Sequence, residues 1–213
     1  MSIKKKYPFV ASSIFFVVIP STSYSSDKAL FDGIYGGVNA SSSEVSSIQK
    51  DSARDLRFKY KADDRESGMG FELGVGRSID RFFMGVSAQY QNNSLGKAIY
   101  KSNNGSLTTI KATKLWHFSV TPGFLITPNF LAYGRLGRGV IEAKAEAADG
   151  RSFNDDADVN VYGVGAKYAL NQNFSINVEY QKTSGYERSG SLKTEFDQNI
   201  VQLGFQYRHC FFQ

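Results

Sequence analysis

Phe82-Phe83-Met84-Gly85-Val86-Ser87-Ala88-Gln89-Tyr90-Gln91 alternates in character from Met84 onward. In an extended chain Phe82, Met84, Val86, Ala88 and Tyr90 share one face, and Gly85, Ser87, Gln89 and Gln91 share the other. A period of two marks a β-strand with two unlike faces. Seven further runs carry the same pattern. Gly33 to Ala40 is the first, and Gly68 to Arg77 sets Met69, Phe71, Leu73 and Val75 against Gly70, Glu72, Gly74 and Gly76. Trp116, Phe118, Val120, Pro122 and Phe124 oppose His117, Ser119, Thr121 and Gly123. Phe130 to Val140 follows, then Tyr162, Val164, Ala166 and Tyr168 against Gly163, Gly165 and Lys167. Phe174, Ile176, Val178 and Tyr180 face away from Ser175, Asn177, Glu179 and Gln181, and Val201, Leu203, Phe205 and Tyr207 from Gln202, Gly204, Gln206 and Arg208.

Three short connections resemble one another: Ile79-Asp80-Arg81-Phe82, Thr127-Pro128-Asn129-Phe130 and Asn171-Gln172-Asn173-Phe174. Each puts Asp, Asn or Pro shortly before a Phe, and they recur at intervals of about 45 residues, one hairpin plus one long connection. The long segments, 41–67, 92–112, 141–158 and 182–198, are polar and read as loops. Eight strands with three short turns and four long loops form an antiparallel up-and-down array, and about ten residues per strand suits a tilted bilayer crossing.

The N-terminus reads as an address. Lys4, Lys5 and Lys6 precede the apolar run Phe9 to Ile19, and Pro20 with Ser21-Thr22-Ser23-Tyr24-Ser25 supplies a break and small residues. This is a signal-peptide pattern, with cleavage expected near Ser25. The alternative, a retained anchor, requires about 20 apolar residues, which this run does not supply. The expected organisation is therefore a removed signal peptide over 1–25 and a barrel over 26–213. Later apolar stretches are too short for a membrane helix, so a chain that enters a membrane here does so as a closed barrel.

The formal charge of +5 falls to about +2 without the first three lysines, leaving no basic stripe for nucleic acid. Cys210 is the single cysteine, so no intramolecular disulfide holds the fold. Two histidines and one cysteine make no metal site, and no cofactor is expected. Gly74-Val75-Gly76 and Gly163-Val164-Gly165 lie inside strands with no helix after them, which excludes a phosphate loop.

A soluble β-barrel keeps its apolar face inside; a membrane barrel turns it out. Here the polar face is rich in Gly, Ser, Asn and Gln, suited to a crowded interior, and the apolar face has aromatics at both strand ends. Phe82, Phe130 and Phe174 follow the turns, while Tyr90, Trp116 and Tyr180 lie toward the loops, two levels like interfacial girdles. The reading is a transmembrane barrel, with a soluble periplasmic β-protein as the alternative. Arg138 resists it. In Tyr133-Gly134-Arg135-Leu136-Gly137-Arg138 strict alternation cannot put both arginines inside. Either Arg138 faces lipid near the outer rim, or a bulge at Gly137 or Gly139 re-aims it.

Tyr133-Gly134-Arg135-Leu136-Gly137, Val178-Glu179-Tyr180-Gln181 and Leu203-Gly204-Phe205-Gln206-Tyr207-Arg208 resemble the fifth, seventh and last strands of small outer-membrane barrels. That group includes the OmpA transmembrane domain, the OmpX and Ail proteins and the opacity-type surface proteins. The resemblance implies residence in the outer membrane of a Gram-negative bacterium among lipid and lipopolysaccharide, insertion by the outer-membrane assembly machinery, and loops that contact host cells or matrix. The group ends on an aromatic residue, whereas this chain ends Phe211-Phe212-Gln213.

Glu72, Arg135, Lys167, Glu179 and Arg208 fall on the inner face and are expected to pair with one another, since isolated buried charges are costly. The plain reading is a structural plug. The resemblance implies a second one, a narrow ion path opened when pairs exchange partners. His117-Phe118-Ser119 has the His-x-Ser spacing of a nucleophile pair in some lipid-modifying outer-membrane enzymes. Both side chains face inward in this register and no acid accompanies them, so no catalytic residue is assigned. Loop residues Lys50, Arg54, Arg57, Lys59 and Lys61 stand among acids in the first long segment and are the candidate partner site. The expectation is a monomeric, non-enzymatic surface barrel, with a narrow porin-like channel as the alternative.

Overall fold

The computed structural model describes residues 30–51, 56–61, 66–93, 97–101, 107–147, 152–189 and 192–209, with side chains described over 30–44, 66–92, 114–142, 156–185 and 197–209. The expected signal peptide, Arg54, Cys210 and the C-terminal Phe-Phe-Gln lie outside the described residues.

Ten strands are present: β1 (Gly33–Asp51), β2 (Leu56–Lys61), β3 (Glu66–Ile79), β4 (Phe82–Asn93), β5 (Lys97–Lys101), β6 (Leu107–Thr127), β7 (Phe130–Ala147), β8 (Ser152–Ala169), β9 (Phe174–Ser189) and β10 (Leu192–His209). Eight of them, β1, β3, β4, β6, β7, β8, β9 and β10, pair antiparallel in sequence order, and β10 pairs back onto β1 to close a barrel. Closure removes every sheet edge at that level, so each backbone N–H and C=O finds a partner without water. The expected eight-stranded antiparallel barrel is therefore the fold.

The register fixes the strand tilt. A row of paired residues starts at Phe124 and runs through Ala132, Ala166, Val178, Leu203, Ala40, Met69 and Asn92. It returns to β6 at Lys114, ten residues nearer the loops. That stagger around eight strands corresponds to a tilt of about 40°.

Alternation sorts the faces as expected. Met69, Phe82 and Phe118 are 75%, 70% and 73% exposed on the outside, whereas Glu72, Gln89 and Glu179 are buried within. Two aromatic levels ring the outside. Phe71, Tyr90 and Trp116 cluster toward the loops, the last two with ring centres 4.5 Å apart. Phe82 meets Phe124 edge-on, and Phe174 packs on Phe205 and Tyr207, toward the turns.

The three short turns stand where expected, all at one end. Asp80 takes a positive φ of 53°, which Asp tolerates better than most residues. Asn171 Oδ1 accepts from the backbone N–H groups of Asn173 and Phe174, an Asx turn.

The long segments depart from expectation. Strands read as about ten residues run for 12 to 21, and they occupy much of 41–67, 92–112, 141–158 and 182–198. Away from lipid a strand needs no alternating faces, only a neighbour that completes its ladder. β1 has two, since Ser46 to Asp51 pair with both β10 and β2. Lys50, Arg57, Lys59 and Lys61 are therefore in a hairpin and not in an irregular loop, with Lys50 opposite Arg57. Pairing between β8 and β9 stops at Val159–Gly185. Beyond it, among the described residues, the wall divides into two four-stranded projections, β5–β6–β7–β8 and β9–β10–β1–β2.

Candidate functional site

The interior is layered. Nearest the turns, Phe31, Phe83, Leu131, Tyr133 and Ala169 form an apolar cluster, with Leu30 and Leu125 against it. Toward the loops a second cluster joins Leu115, Ile141, Val159, Val161 and Ile200. Hydrogen-bonded polar side chains fill the space between. The inner face read as polar along its length is thus apolar at both ends. Ile141 lay within a segment read as loop, and Leu115 stands beside Trp116, so alternation alone did not single them out.

Arg135 of β7 is the centre of the polar layer. Its Nε and Nη2 donate to Glu179 Oε1 and Oε2 at 2.6 and 3.0 Å. Nη2 also donates to Glu72 Oε1 at 2.8 Å. Nη1 donates to Ser87 Oγ and Ser119 Oγ, each at 2.9 Å. All five guanidinium N–H groups have acceptors, the condition under which a buried arginine is tolerated. The carboxylates are also engaged. Glu179 accepts from Tyr133 Oη and from Gln181 Nε2, each at 2.8 Å, and Glu72 accepts from Gln206 Nε2 at 2.8 Å. Gln89 and Gln91 both donate to Gln202 Oε1, extending the network toward the loops.

Gly163 leaves room for this centre: a Cβ there would stand 2.8 Å from Glu179 Oε1 and 3.2 Å from Arg135 Cβ. At Gly165 the Tyr133 ring covers the bare backbone at 2.6 Å from where a Cβ would lie.

Of the five lumen charges, Glu72, Arg135 and Glu179 meet. The other two do not join them. Lys167 is buried but lies over the rings of Tyr35 and Tyr133, 4.4 and 5.8 Å from their centres, and makes no ion pair among the described residues. Cation–π contact replaces a carboxylate there because the tyrosine rings, not Glu72 or Glu179, occupy its depth in the barrel. Arg208 sits at the turn-end mouth, where it donates to the backbone carbonyls of Asp32 and Gln172. Alternation correctly faced it inward but did not give its depth. Beside it Asp32 accepts from Ser78 N at 2.6 Å. Burial pushes the Asp32 carboxyl above its ordinary range, against the opposing pull of its bonds to Ser78 and the charges of Arg77 and Arg208.

Sequence reading missed Ser87, Ser119, Tyr133, Gln181 and Gln206 as members of the centre. Their signal was their shared face with Glu72 and Glu179. His117 and Ser119 make no nucleophile–base pair: Ser119 Oγ is held by Arg135 and Ser87, and neither ring nitrogen of buried His117 has a hydrogen-bond partner among the described residues. Among the described residues no cluster of His, Cys, Asp or Glu is placed to hold a metal.

Arg138 points outward. Its register is continuous, with Gly137 opposite Ser119, Arg138 opposite Phe118 and Gly139 opposite His117, so no bulge re-aims it. The rim alternative holds, and the cost of an outward arginine falls from ~2–4 kcal/mol at mid-depth to ~0–1 near an interface.

A closed eight-stranded barrel with an outward apolar band and a filled lumen matches known proteins along its length. Residues 12–208 match the family described as the outer membrane protein beta-barrel domain. The chain belongs to that family. It is 29% identical over 161 residues to outer membrane protein A of Serratia marcescens, covering 66% of this chain and 44% of that protein. It is 32% identical over 118 residues to outer membrane protein A of Shigella flexneri, covering 54% of this chain and 33% of that protein. The chain thus spans less than half the length of these relatives. Among solved structures it is similar to the outer membrane protein OprG of Pseudomonas aeruginosa, with a TM-score of 0.54, 17% identity, and 87% and 100% of the two chains covered. The outer-membrane barrel is thereby a surface protein of a Gram-negative cell envelope, with its loops outward and its turns toward the periplasm.

Proposed function

We propose that this barrel is a structural, non-enzymatic surface protein whose extracellular projections make adhesive or host contacts. The observation that carries the reading is the filled lumen. An arginine with every donor used lies between two carboxylates, and apolar clusters lie on both sides of it. An eight-stranded interior is just wide enough for its own side chains. Such an interior supports no conduit and leaves the outside surface to do the work.

Above the bilayer band the two projections carry strand edges that an extended partner segment can join. The hairpin that bears Lys50, Arg57, Lys59 and Lys61 belongs to one of them. In this reading the barrel is monomeric, sits among lipid and lipopolysaccharide, reaches the membrane through the outer-membrane assembly machinery, and meets a host-cell or matrix ligand through its projections. The narrow-channel alternative draws on one feature, the sharing of Arg135 between Glu72 and Glu179, which would let pairs exchange.

The test is binding by cells that display the protein. Removing residues 52–61 takes away the outer arm of the β1–β2 hairpin but leaves the β1–β10 ladder. Binding to epithelial cells or extracellular matrix should fall, while the heat-dependent gel shift of a folded barrel should persist. Undiminished binding with the shift intact would count against the hairpin as the contact surface.

A further inference from the structure

Arg138 has no role in the closed barrel or its lumen. It faces lipid, and among the described residues it has no hydrogen-bond or ion-pair partner. Two outward lysines of this region differ. Lys114 Nζ lies 3.1 Å from Glu142, and Lys182 Nζ lies 3.4 Å from Asp197. Asp158 on the adjoining strand faces Val140 and not Arg138 in register, and no ion pair joins the two.

The stagger of the strands gives Arg138 its height. A paired row climbs ten residues in one circuit of eight strands, so level positions shift by about one and a quarter residues per strand. From Arg138 the level position on β6 is close to Trp116. Two strands the other way, on β9, it is close to Lys182. Arg138 therefore lies in the loop-side aromatic girdle, where headgroups of the outer leaflet begin. Around it stand Phe118 and Asn160 in its own row and the exposed Tyr162 below Asn160 on β8.

We propose that Arg138 binds the phosphate of an outer-leaflet glycolipid headgroup against the barrel wall. A guanidinium offers a planar fork that fits phosphate oxygens in bidentate fashion, and it is the cation most readily stripped of water. The outward aromatics give acyl chains and sugar rings a surface on either side. Lys182, at the same level but already paired with Asp197, assists by charge alone. The inference rests on the outer-membrane location and not on the adhesive reading, since neither projection contributes to it.

The experiment uses the full mature chain, folded in detergent, and titrates it with bisphosphorylated lipid A, the same lipid after phosphatase treatment, and inorganic phosphate. Native mass spectrometry counts the bound lipid. The unsubstituted protein should retain the bisphosphorylated lipid, and Arg138→Ala should weaken retention by about tenfold or more, the loss of one charge-assisted contact. Arg138→Lys should fall between them, because charge remains while the fork is lost. Removing the phosphates from the lipid should weaken binding to the unsubstituted protein as much as Arg138→Ala does. The gel shift should be intact in both variants, since Arg138 touches nothing that closes the barrel. Equal retention by Arg138→Ala, or equal retention of the dephosphorylated lipid, would overturn the proposal. Displacement of the lipid by millimolar inorganic phosphate would overturn it too, by making the site a free-anion site.

Discussion

Replacing Glu179 with Gln removes one charge from the lumen and changes almost no volume. The carboxylate it removes accepts four hydrogen bonds, two from Arg135, one from Tyr133 and one from Gln181. A carboxamide offers one acceptor oxygen and places an NH2 group against donors. Arg135 keeps one bond to Glu72, so its charge is not wholly uncompensated. Breaking a buried pair costs ~3–5 kcal/mol, and the surviving Glu72 contact sets Glu179→Gln near the lower end, about 3 kcal/mol. Arg135→Gln leaves two carboxylates facing each other and should cost more. The double variant should be less unstable than Arg135→Gln alone but should not return to the parent, because Glu72 is still without its arginine. The assay is urea-dependent unfolding in lipid vesicles, followed by tryptophan fluorescence and the gel shift, with the four proteins read as a double-mutant cycle. A loss under about 0.5 kcal/mol for Glu179→Gln, the range of ordinary surface changes, would refute the centre as drawn. So would an Arg135→Gln variant no weaker than Glu179→Gln.

Gly163→Ala should destabilise the barrel by ~1–3 kcal/mol, because its Cβ would stand 2.8 Å from Glu179 Oε1; equal urea midpoints for parent and variant would show the layer yields freely. Leu131→Ala, in the fully buried turn-end cluster, should cost ~2–5 kcal/mol, read in the same unfolding assay. The raised Asp32 carboxyl favours its protonated form in the folded state. Its contribution is therefore full below the ordinary carboxylate value and lost as pH rises through the folded value, and Asp32→Asn should flatten that part of a stability–pH curve measured from about pH 3 to about pH 7.

Face was legible in the sequence; depth and partner were not. Met84 to Gln91 and Phe174 to Gln181 declare their faces because lipid on one side and lumen on the other demand different side chains at every step, whereas Phe83 enters an apolar layer of the lumen and looks like its outward neighbour Phe82. The same rule held for Arg138, whose outward position broke the apolar series yet proved correct. Alternation carries no information on height, which depends on the ten-residue stagger of the closed sheet. Glu72, Arg135 and Glu179 sit on β3, β7 and β9, which are not neighbours, and meet only across the lumen. Arg208 and Lys167 share their face but lie at other depths, so they found backbone carbonyls and tyrosine rings instead. Strand ends failed for a related reason. In Ser41-Ser42-Ser43-Glu44 both faces are polar, and only pairing with β10 and β3 keeps the chain extended.

The measurement that bears most directly on the account is ion conductance of the full barrel in planar bilayers at neutral pH. With Arg135 held by five bonds and apolar clusters on both sides, the folded barrel should carry no steady current. Opening should appear, if at all, only when the Arg135 centre is broken, as in Glu179→Gln. A steady, reproducible conductance from the unsubstituted protein would contradict the filled lumen and move the function from the outer surface to the interior.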